Sequence, residues 1–266
     1  TAAADFQKFS VEFTNHPQLP KAQFYLGESF FNLSRWQDSI PAFERLLNNF
    51  DKSDDTALAV FHLASAYYNL EKFEEATRHY ARLIEEYPSS PYVPPAQFNL
   101  ALAYKKLGKL DMAQYSYQKY IAAAKPNDAQ AQNAMWETYQ IQRDRKDFEG
   151  AIATLEQIKN SGPADGELGM EVMYRISEVY VGAGRPDEAL ATWQKMRTMK
   201  PAGSAFRLQA LAKLGDLFEK SGDLAAAAAV YEDYARAAPK DAAAKAAARA
   251  AALRKTPGGG RMNKPG

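Results

Sequence analysis

The sequence predicts an all-α solenoid of about six helix–turn–helix units, closed by a C-terminal capping helix. Three observations carry that prediction. An aliphatic residue followed by a small one recurs at Leu26-Gly27, Leu63-Ala64, Leu100-Ala101, Ile176-Ser177 and Leu214-Gly215, and an aromatic follows each pair, at Phe30, Tyr67, Tyr104, Tyr180 and Phe218. A second small residue returns at Ser39, Ala76, Ala113, Ala151, Ala189 and Ala227, with a large apolar one four positions on, at Phe43, Tyr80, Tyr117, Leu155, Trp193 and Tyr231. Most units then close with proline, at Pro88, Pro126, Pro163, Pro201 and Pro239. The spacing of 37 or 38 residues is that of helical solenoids, whose units are helix pairs unable to bury their apolar faces alone.

Taken in order, the elements are these. The opening stretch "ADFQKFSVEFTNHP" reads as a second helix with its closing Pro17 but no first helix before it, so residues 1–19 form a partial unit. Half a unit would leave an apolar face bare, so the expectation is a longer native chain or a helix that serves as a cap. Residues 20–239 are the repeat array. Within each unit the small residues permit close helix crossing and the aromatics fill the space beside them. Between the two helices stand "KLGKLD", "GAGRPD" and "KSGDL", where glycine can take the left-handed conformation that ends a helix. The unit at Met135–Arg143, "AMWETYQIQRDRKD", lacks the aliphatic–small pair; Trp136 and Tyr139 are expected to replace the usual packing, in a register left open. Residues 240–255, "KDAAAKAAARAAALRK", form an alanine-rich capping helix, and 256–266 a disordered, glycine-rich tail.

The repeat resembles the tetratricopeptide repeat (TPR), on the Leu-Gly-x-x-Phe of Leu26–Phe30, the Ala-x-x-x-Tyr of Ala76–Tyr80 and the closing prolines. The resemblance implies a right-handed α-solenoid whose concave wall is made mainly by the first helix of each pair. A narrower likeness lies in "YPSSPYVPPAQFNLALAYKKLG" and in "DFQKFSVEFTNHPQLPKAQFYLGESFF". These are similar to bacterial cell-envelope TPR proteins, namely the Tol–Pal-associated periplasmic cell-division coordinator and the outer-membrane-assembly lipoproteins. That likeness implies a periplasmic or envelope-associated adaptor, with a cytoplasmic one as the alternative. A lipoprotein would need a lipidated cysteine, and the chain has none.

On the first helices, Phe24, Glu28 and Phe31 lie more than about 100° from the stripe of Leu26, Gly27 and Phe30. The same positions recur as Phe61, Ser65 and Tyr68, then as Phe98, Leu102 and Lys105. One reading is an aromatic strip in the groove that grips an extended or helical segment of another protein. The other is that these phenylalanines pack between consecutive units. The candidate partner-binding residues are therefore Phe24, Phe31, Phe61, Tyr68, Phe98, Leu102, Lys105 and Tyr174, with Phe31 and Tyr68 ahead of the phenylalanines at 24, 61 and 98. In later units the matching positions turn acidic at Glu178, Asp216 and Glu219. Only Arg175 and Lys213 come near the places that clamp a carboxylate in chaperone-binding TPRs.

Composition bounds the rest. With 46% apolar and 24% charged residues the chain belongs to the folded class. No apolar run approaches the roughly 20 residues of a membrane span. The absence of cysteine excludes disulfides and thiol catalysis. Thr1 opens the chain without a visible leader, as expected of a cytosolic protein or of a processed or trimmed form of something longer. From Arg236 onward eight Lys or Arg face one acid, Asp241; this basic tail reads as a solvated cap, or as a surface for anionic lipid, nucleic acid or an acidic partner, and it is the one place for membrane contact. No aromatics are interleaved with it, which argues against nucleic acid. Of the three histidines, His16, His62 and His79, the last two lie in one repeat on different helices and are expected at the surface or at boundaries, and no metal site is expected. "GAGRP" and "GGGRMNK" resemble phosphate loops only in glycine content. No catalytic set, cofactor or small-molecule substrate is expected. The leading expectation is a non-enzymatic adaptor; the alternatives are a structural subunit held by its edges or convex face, and the non-catalytic part of a longer enzyme.

Overall fold

The computed structural model describes residues 2–50, 53–125, 128–162 and 166–256, without the side chain of Asp54. Pro126, Pro163 and the tail from Pro257 onward lie outside the described residues. Among the described residues every regular element is a helix. In chain order these are α1 (Ala2–Glu12), α2 (Leu19–Asn32), α3 (Trp36–Asn49), α4 (Asp54–Asn69), α5 (Phe73–Glu86), α6 (Val93–Lys106) and α7 (Leu110–Ala123). They continue as α8 (Ala129–Asp144), α9 (Phe148–Asn160), α10 (Glu167–Gly182), α11 (Pro186–Met196), α12 (Ala205–Ser221), α13 (Leu224–Ala237) and α14 (Lys240–Lys255). From α2 on, the even-numbered helices are the first helices of their units and the odd-numbered ones the second. The chain divides within α8 into two compact units, residues 1–137 and 138–266.

In residues 1–137, α1 stands alone as a second helix, and three full pairs follow, α2–α3, α4–α5 and α6–α7. Each pair is closed by a large aromatic of the second helix lying against a small residue of the first. A β-carbon added at Gly27 would come within 2.6 Å of the Phe43 ring, so only glycine fits there. Tyr80 packs with Ala64, Val60 and Ala57 in the next pair. The opposite side of each first helix meets the preceding unit: Ala59, Leu63 and Ala66 join Ile40, Phe43 and Leu46. The first helix is therefore buried on two sides, and what remains is one narrow exposed face.

The turn inside each unit follows one design. A single residue takes the left-handed conformation, at Ser34, Glu71, Gly108, Lys146, Gly184 and Gly222, with φ from 57° to 82°. At five of these turns the next amide reaches back five residues, as in Arg35 N to Phe30 O and Lys109 N to Tyr104 O, each 2.9 Å. This satisfies a carbonyl that the helix end would otherwise leave open. The glycine turns read from the sequence are present, and serine, glutamate and lysine do the same work in three further units.

From residue 138 onward the pattern continues with two variations. In α8, Thr138 and Tyr139 occupy the aliphatic–small positions and both are buried. Gln142 stands where other units carry an aromatic, and its Oε1 accepts a 2.8 Å hydrogen bond from the Thr154 hydroxyl of α9. This sets the register that the sequence left open: Tyr139 is core, whereas Trp136 is half-buried. The second variation is the short α11. Arg207 of α12, itself buried, spans the turn that follows and donates to the carbonyls of Arg197 (3.1 Å) and Ala202 (2.7 Å). Tyr231 closes against Gly215 as Phe43 does against Gly27, with a 2.8 Å approach to any added β-carbon. The capping helix α14 forms as expected and buries Ala246, Ala250 and Leu253 against Ala227, Ala228, Tyr231 and Phe218.

Candidate functional site

The exposed face of the first helices is the part of those helices not consumed by packing, and the candidate residues divide upon it. Phe24 is only 5% exposed and packs with Phe43, Ile40 and Leu63. Tyr174 is 6% exposed and belongs to the core around Trp193 and Leu211. Both are corrected from groove residues to core residues. Phe61 and Phe98 are half-buried. The Phe61 ring lies 5.9 Å from those of Tyr80 and Tyr92, and the Phe98 ring 5.7 and 5.5 Å from those of Tyr117 and Tyr120. These two phenylalanines fill space between helices, and only an edge is left to solvent.

Phe31, Tyr68, Leu102 and Lys105 remain on the face of residues 1–137, all half-buried. Phe31 and Tyr68 stand one repeat apart on α2 and α4, and Lys105 one repeat further on α6. Phe31 leans on His62 at 4.6 Å between rings, and Tyr68 meets Phe73 edge-on at 5.3 Å. Lys105 forms an ion pair with Glu137 of α8. Burial raises the Tyr68 phenol above its usual pKa and the Lys105 charge opposes that rise, which sets the two side chains within electrostatic reach of each other. The face is thus mixed: two aromatic edges, an aliphatic side chain, a cation and a carboxylate.

Beneath it lies a layer of polar cross-links that the sequence reading missed. Ser65 Oγ donates to Phe61 O at 2.9 Å, which leaves its lone pair for the Tyr80 hydroxyl, also at 2.9 Å. Burial pushes the Tyr80 phenol up to about 12, against the opposing hydrogen bonds of Ser65 and Asn99. In residues 138–266 the same device recurs: Ser177 donates to Tyr174 O (2.6 Å) and accepts from Trp193 Nε1 (2.7 Å), and Asp216 accepts from the Tyr231 hydroxyl at 2.7 Å. In the α6–α7 pair the matching first-helix position is Leu102, which offers no acceptor. The Tyr117 hydroxyl is accordingly buried without a partner, and burial raises its pKa strongly.

The acidic positions of residues 138–266 are largely engaged. Glu178 pairs with Arg175 at 3.4 Å, and Glu219 with Arg249 of α14. Arg175 also pairs with Glu171 at 3.5 Å, which ties up one of the two cations nearest to a carboxylate clamp; Lys213, the other, is exposed. Val181, 53% exposed, is the one large apolar side chain left bare on this part of the face among the described residues.

His62 and His79 are half-buried, at boundary positions as the sequence reading allows. His62 lies between the rings of Phe31 and Phe43, and His79 stacks on Tyr67 at 5.3 Å. The Nδ1 atom of each has no partner, and burial holds both imidazoles down to about 4. Among the described residues no three His, Asp or Glu side chains are grouped to hold a metal ion, and no helix is long and apolar enough to cross a membrane.

A tetratricopeptide repeat family model matches residues 24–91 and 174–242, and a second tetratricopeptide repeat model matches 94–127. The longest stretch they leave uncovered, 128–173, holds the Thr138–Tyr139 variation. Among solved structures, one described as MamA protein is 16% identical with a TM-score of 0.52, and one described as MamA AMB-1 is 19% identical with a TM-score of 0.51. Each likeness covers 68% of this chain and 91% of that one. A tetratricopeptide repeat protein from Parabacteroides merdae ATCC 43184 is 15% identical over 94% of this chain and 91% of its own, with a TM-score of 0.48. At 16% and 19% identity the likeness to the two MamA structures speaks for the fold alone. No curated protein matches the chain.

Proposed function

The chain belongs to the tetratricopeptide repeat family, and on that premise we propose that it is a non-catalytic adaptor holding a segment of a partner protein against the first-helix face of residues 1–137. One observation carries the proposal. Phe31, Tyr68 and Lys105 project from three successive first helices at repeat spacing, and the core has not absorbed them as it has Phe24. Side chains repeated at fixed intervals on packed helices form a preorganised surface, so a flexible segment that docks there spends its ordering entropy once and the wall spends almost none. Aromatic edges beside a cation and a carboxylate suit a segment of mixed apolar and polar character.

The setting we propose is the bacterial cell envelope. Support for it lies in the likeness of the Pro88–Pro91 linker and of the opening repeat to envelope TPR proteins. Fractionation of the native host, followed by detection of this chain, tests it directly: recovery in the cytosolic fraction alone rejects the envelope.

Affinity capture from host lysate tests the adaptor. The wild type is compared with a Phe31→Ala, Tyr68→Ala double variant, which leaves the packed Phe24, Phe61 and Phe98 untouched. Equal helicity of the two proteins by circular dichroism is the control. Proteins retained by the wild type and lost by the variant support the face as the binding surface. An identical set of captured proteins rejects it.

A further inference from the structure

Two substitutions separate the buried hydroxyl of Tyr117 from its counterpart one repeat earlier. In the α4–α5 pair the Tyr80 hydroxyl has two partners, Ser65 of its own first helix at 2.9 Å and Asn99 of the next first helix. One repeat on, Leu102 stands in the place of Ser65 and offers no acceptor. Glu137 of α8 stands in the place of Asn99, one position before the aliphatic–small pair. Its carboxylate is drawn to Lys105 instead, as an ion pair across α6 and α8. The Tyr117 side chain is 0% exposed, and its hydroxyl has no hydrogen-bond partner.

A buried hydroxyl left in this state costs stability, and its surroundings show what it faces. Tyr117 holds on α7 the position of Tyr80 on α5, so its hydroxyl points to the first-helix side of the pair, beneath the strip of Tyr68, Leu102 and Lys105. Burial raises its pKa first, and the charges of Glu137 and Tyr68 raise it further; Lys105 acts in turn on Tyr68. Four polar groups from α4, α6, α7 and α8 therefore converge, all within residues 1–137. Tyr68, Lys105 and Glu137 are half-buried and reach solvent. Leu102 is half-buried too, so the way down to the hydroxyl runs past one aliphatic side chain whose rotamers exchange fast.

Charge selects what enters. The cluster holds one cation and one carboxylate paired to each other, and two phenol hydroxyls. An incoming carboxylate would meet Glu137 at like sign, and an incoming ammonium would meet Lys105, each at a cost. An uncharged amide meets neither penalty: its carbonyl oxygen accepts from Tyr117 or Lys105, and its N–H groups donate to Glu137 or Tyr68. The chain makes the same pairing internally, where Asn99 bonds Tyr80. Depth decides the source of the amide. The hydroxyl lies below the face, where the peptide group of a docked backbone cannot follow, whereas Asn and Gln carry their amides on short stems.

We infer that Tyr117, Lys105, Glu137 and Tyr68 form a specificity site for the side-chain carboxamide of an Asn or Gln in the partner segment, which takes the place that Asn99 fills for Tyr80. Such a site rests on the adaptor reading, to which it adds a preference at one position of the bound segment.

Propionamide is the probe, compared with propionate, propylammonium and N-methylacetamide on the full chain isotope-labelled at the tyrosine Cζ. The Tyr117 resonance, assigned by its loss in Tyr117→Phe, reads the hydrogen bonding of the hydroxyl. Propionamide should shift it saturably, and the two charged probes at the same concentrations should leave it in place. N-methylacetamide, which stands for a backbone peptide group, should shift it less. Glu137→Asn gives Tyr117 the internal partner that Tyr80 has, at the expense of a half-exposed ion pair worth little. That variant should lose the propionamide response without a lower urea midpoint, a combination that a merely structural role would not produce. No propionamide shift in the wild type overturns the site, and so does an equal response to either charged probe or a response retained in Glu137→Asn. An equal response to N-methylacetamide overturns the assignment to a side chain. Affinity capture leaves Tyr117 in place in both proteins compared. Partner binding without a propionamide shift therefore rejects the site alone, and a shift without partner binding rejects the adaptor alone.

Discussion

The hydroxyls of Tyr80 and Ser65 meet at 2.9 Å across the α4–α5 pair, whereas the hydroxyl of Tyr117, one repeat later, meets nothing. The difference is one residue on the first helix, Ser65 against Leu102. A buried hydroxyl that is bonded adds about 1 kcal/mol to stability, and one left unpaired costs about 1–3 kcal/mol. The two tyrosines should therefore respond in opposite directions to loss of the hydroxyl. Tyr80→Phe should destabilise the chain by about 1 kcal/mol and Tyr117→Phe should stabilise it by about as much, read as shifts in urea midpoint at constant slope. A Tyr117→Phe variant less stable than wild type would show that its hydroxyl is bonded.

The turns allow a second paired prediction. Glu71 and Lys146 hold the left-handed conformation at φ 60°, which costs a residue with a β-carbon about 1 kcal/mol relative to glycine. Glu71→Gly and Lys146→Gly should each raise stability by about 0.5–1 kcal/mol, although both place glycine beside a helix. Gly108→Ala, at φ 70° with open space around it, should lower it by about 1 kcal/mol through backbone strain alone. Thermal melts of the three variants decide the matter, and stabilisation by Gly108→Ala would contradict it.

These same positions mark what the sequence could disclose. Gly108, Gly184 and Gly222 announce their turns because glycine is the residue such turns prefer. Ser34, Glu71 and Lys146 announce nothing, since a penalty of about 1 kcal/mol is small against the burial that holds each pair together. Only the repeat spacing betrays them. Phe24 was misplaced for a geometric reason. It lies three residues before Gly27 as well as four before Glu28, so it sits between the packed stripe and the exposed one. Gly27 has no side chain, and Phe24 takes the vacant side of the crossing, its ring 6.5 Å from that of Phe43. The polar cross-links were hidden differently: Ser65 and Tyr80 are 15 positions apart, and pairing them requires the register of both helices at once.

Gly27 itself gives the sharpest packing prediction. With the Phe43 ring 2.6 Å from where a β-carbon would stand, Gly27→Ala must displace a ring that is 0% exposed. Overpacking of this kind costs about 1–3 kcal/mol, more than the helix propensity that alanine returns. Gly27→Ala together with Phe43→Leu should recover part of the loss, because the smaller side chain yields the space. A double variant no better than the additive sum would mean that the strain lies elsewhere.

The last prediction concerns pH. His62 and His79 titrate near 4 in the folded chain, because burial disfavours their charged forms, and near 6.5 once unfolded. Arg78 and Arg82 act on His79 in the same direction, and Glu75 opposes them. The folded-state pKa is the lower one, so below about 6.5 the unfolded chain binds the proton more readily than the folded chain. The resulting stability is fully present above 6.5 and is lost as the pH falls towards 4. Carboxylates contribute mainly below about pH 5, which leaves the interval from 6.5 to 5 to the histidines. Urea midpoints should fall across that interval for the wild type and stay nearly level for a His62→Gln, His79→Gln variant. His62→Phe alone should remove about half of the slope and should also alter the face, since Phe31 rests on that ring. An unchanged slope in the double variant would assign the acid sensitivity to other groups.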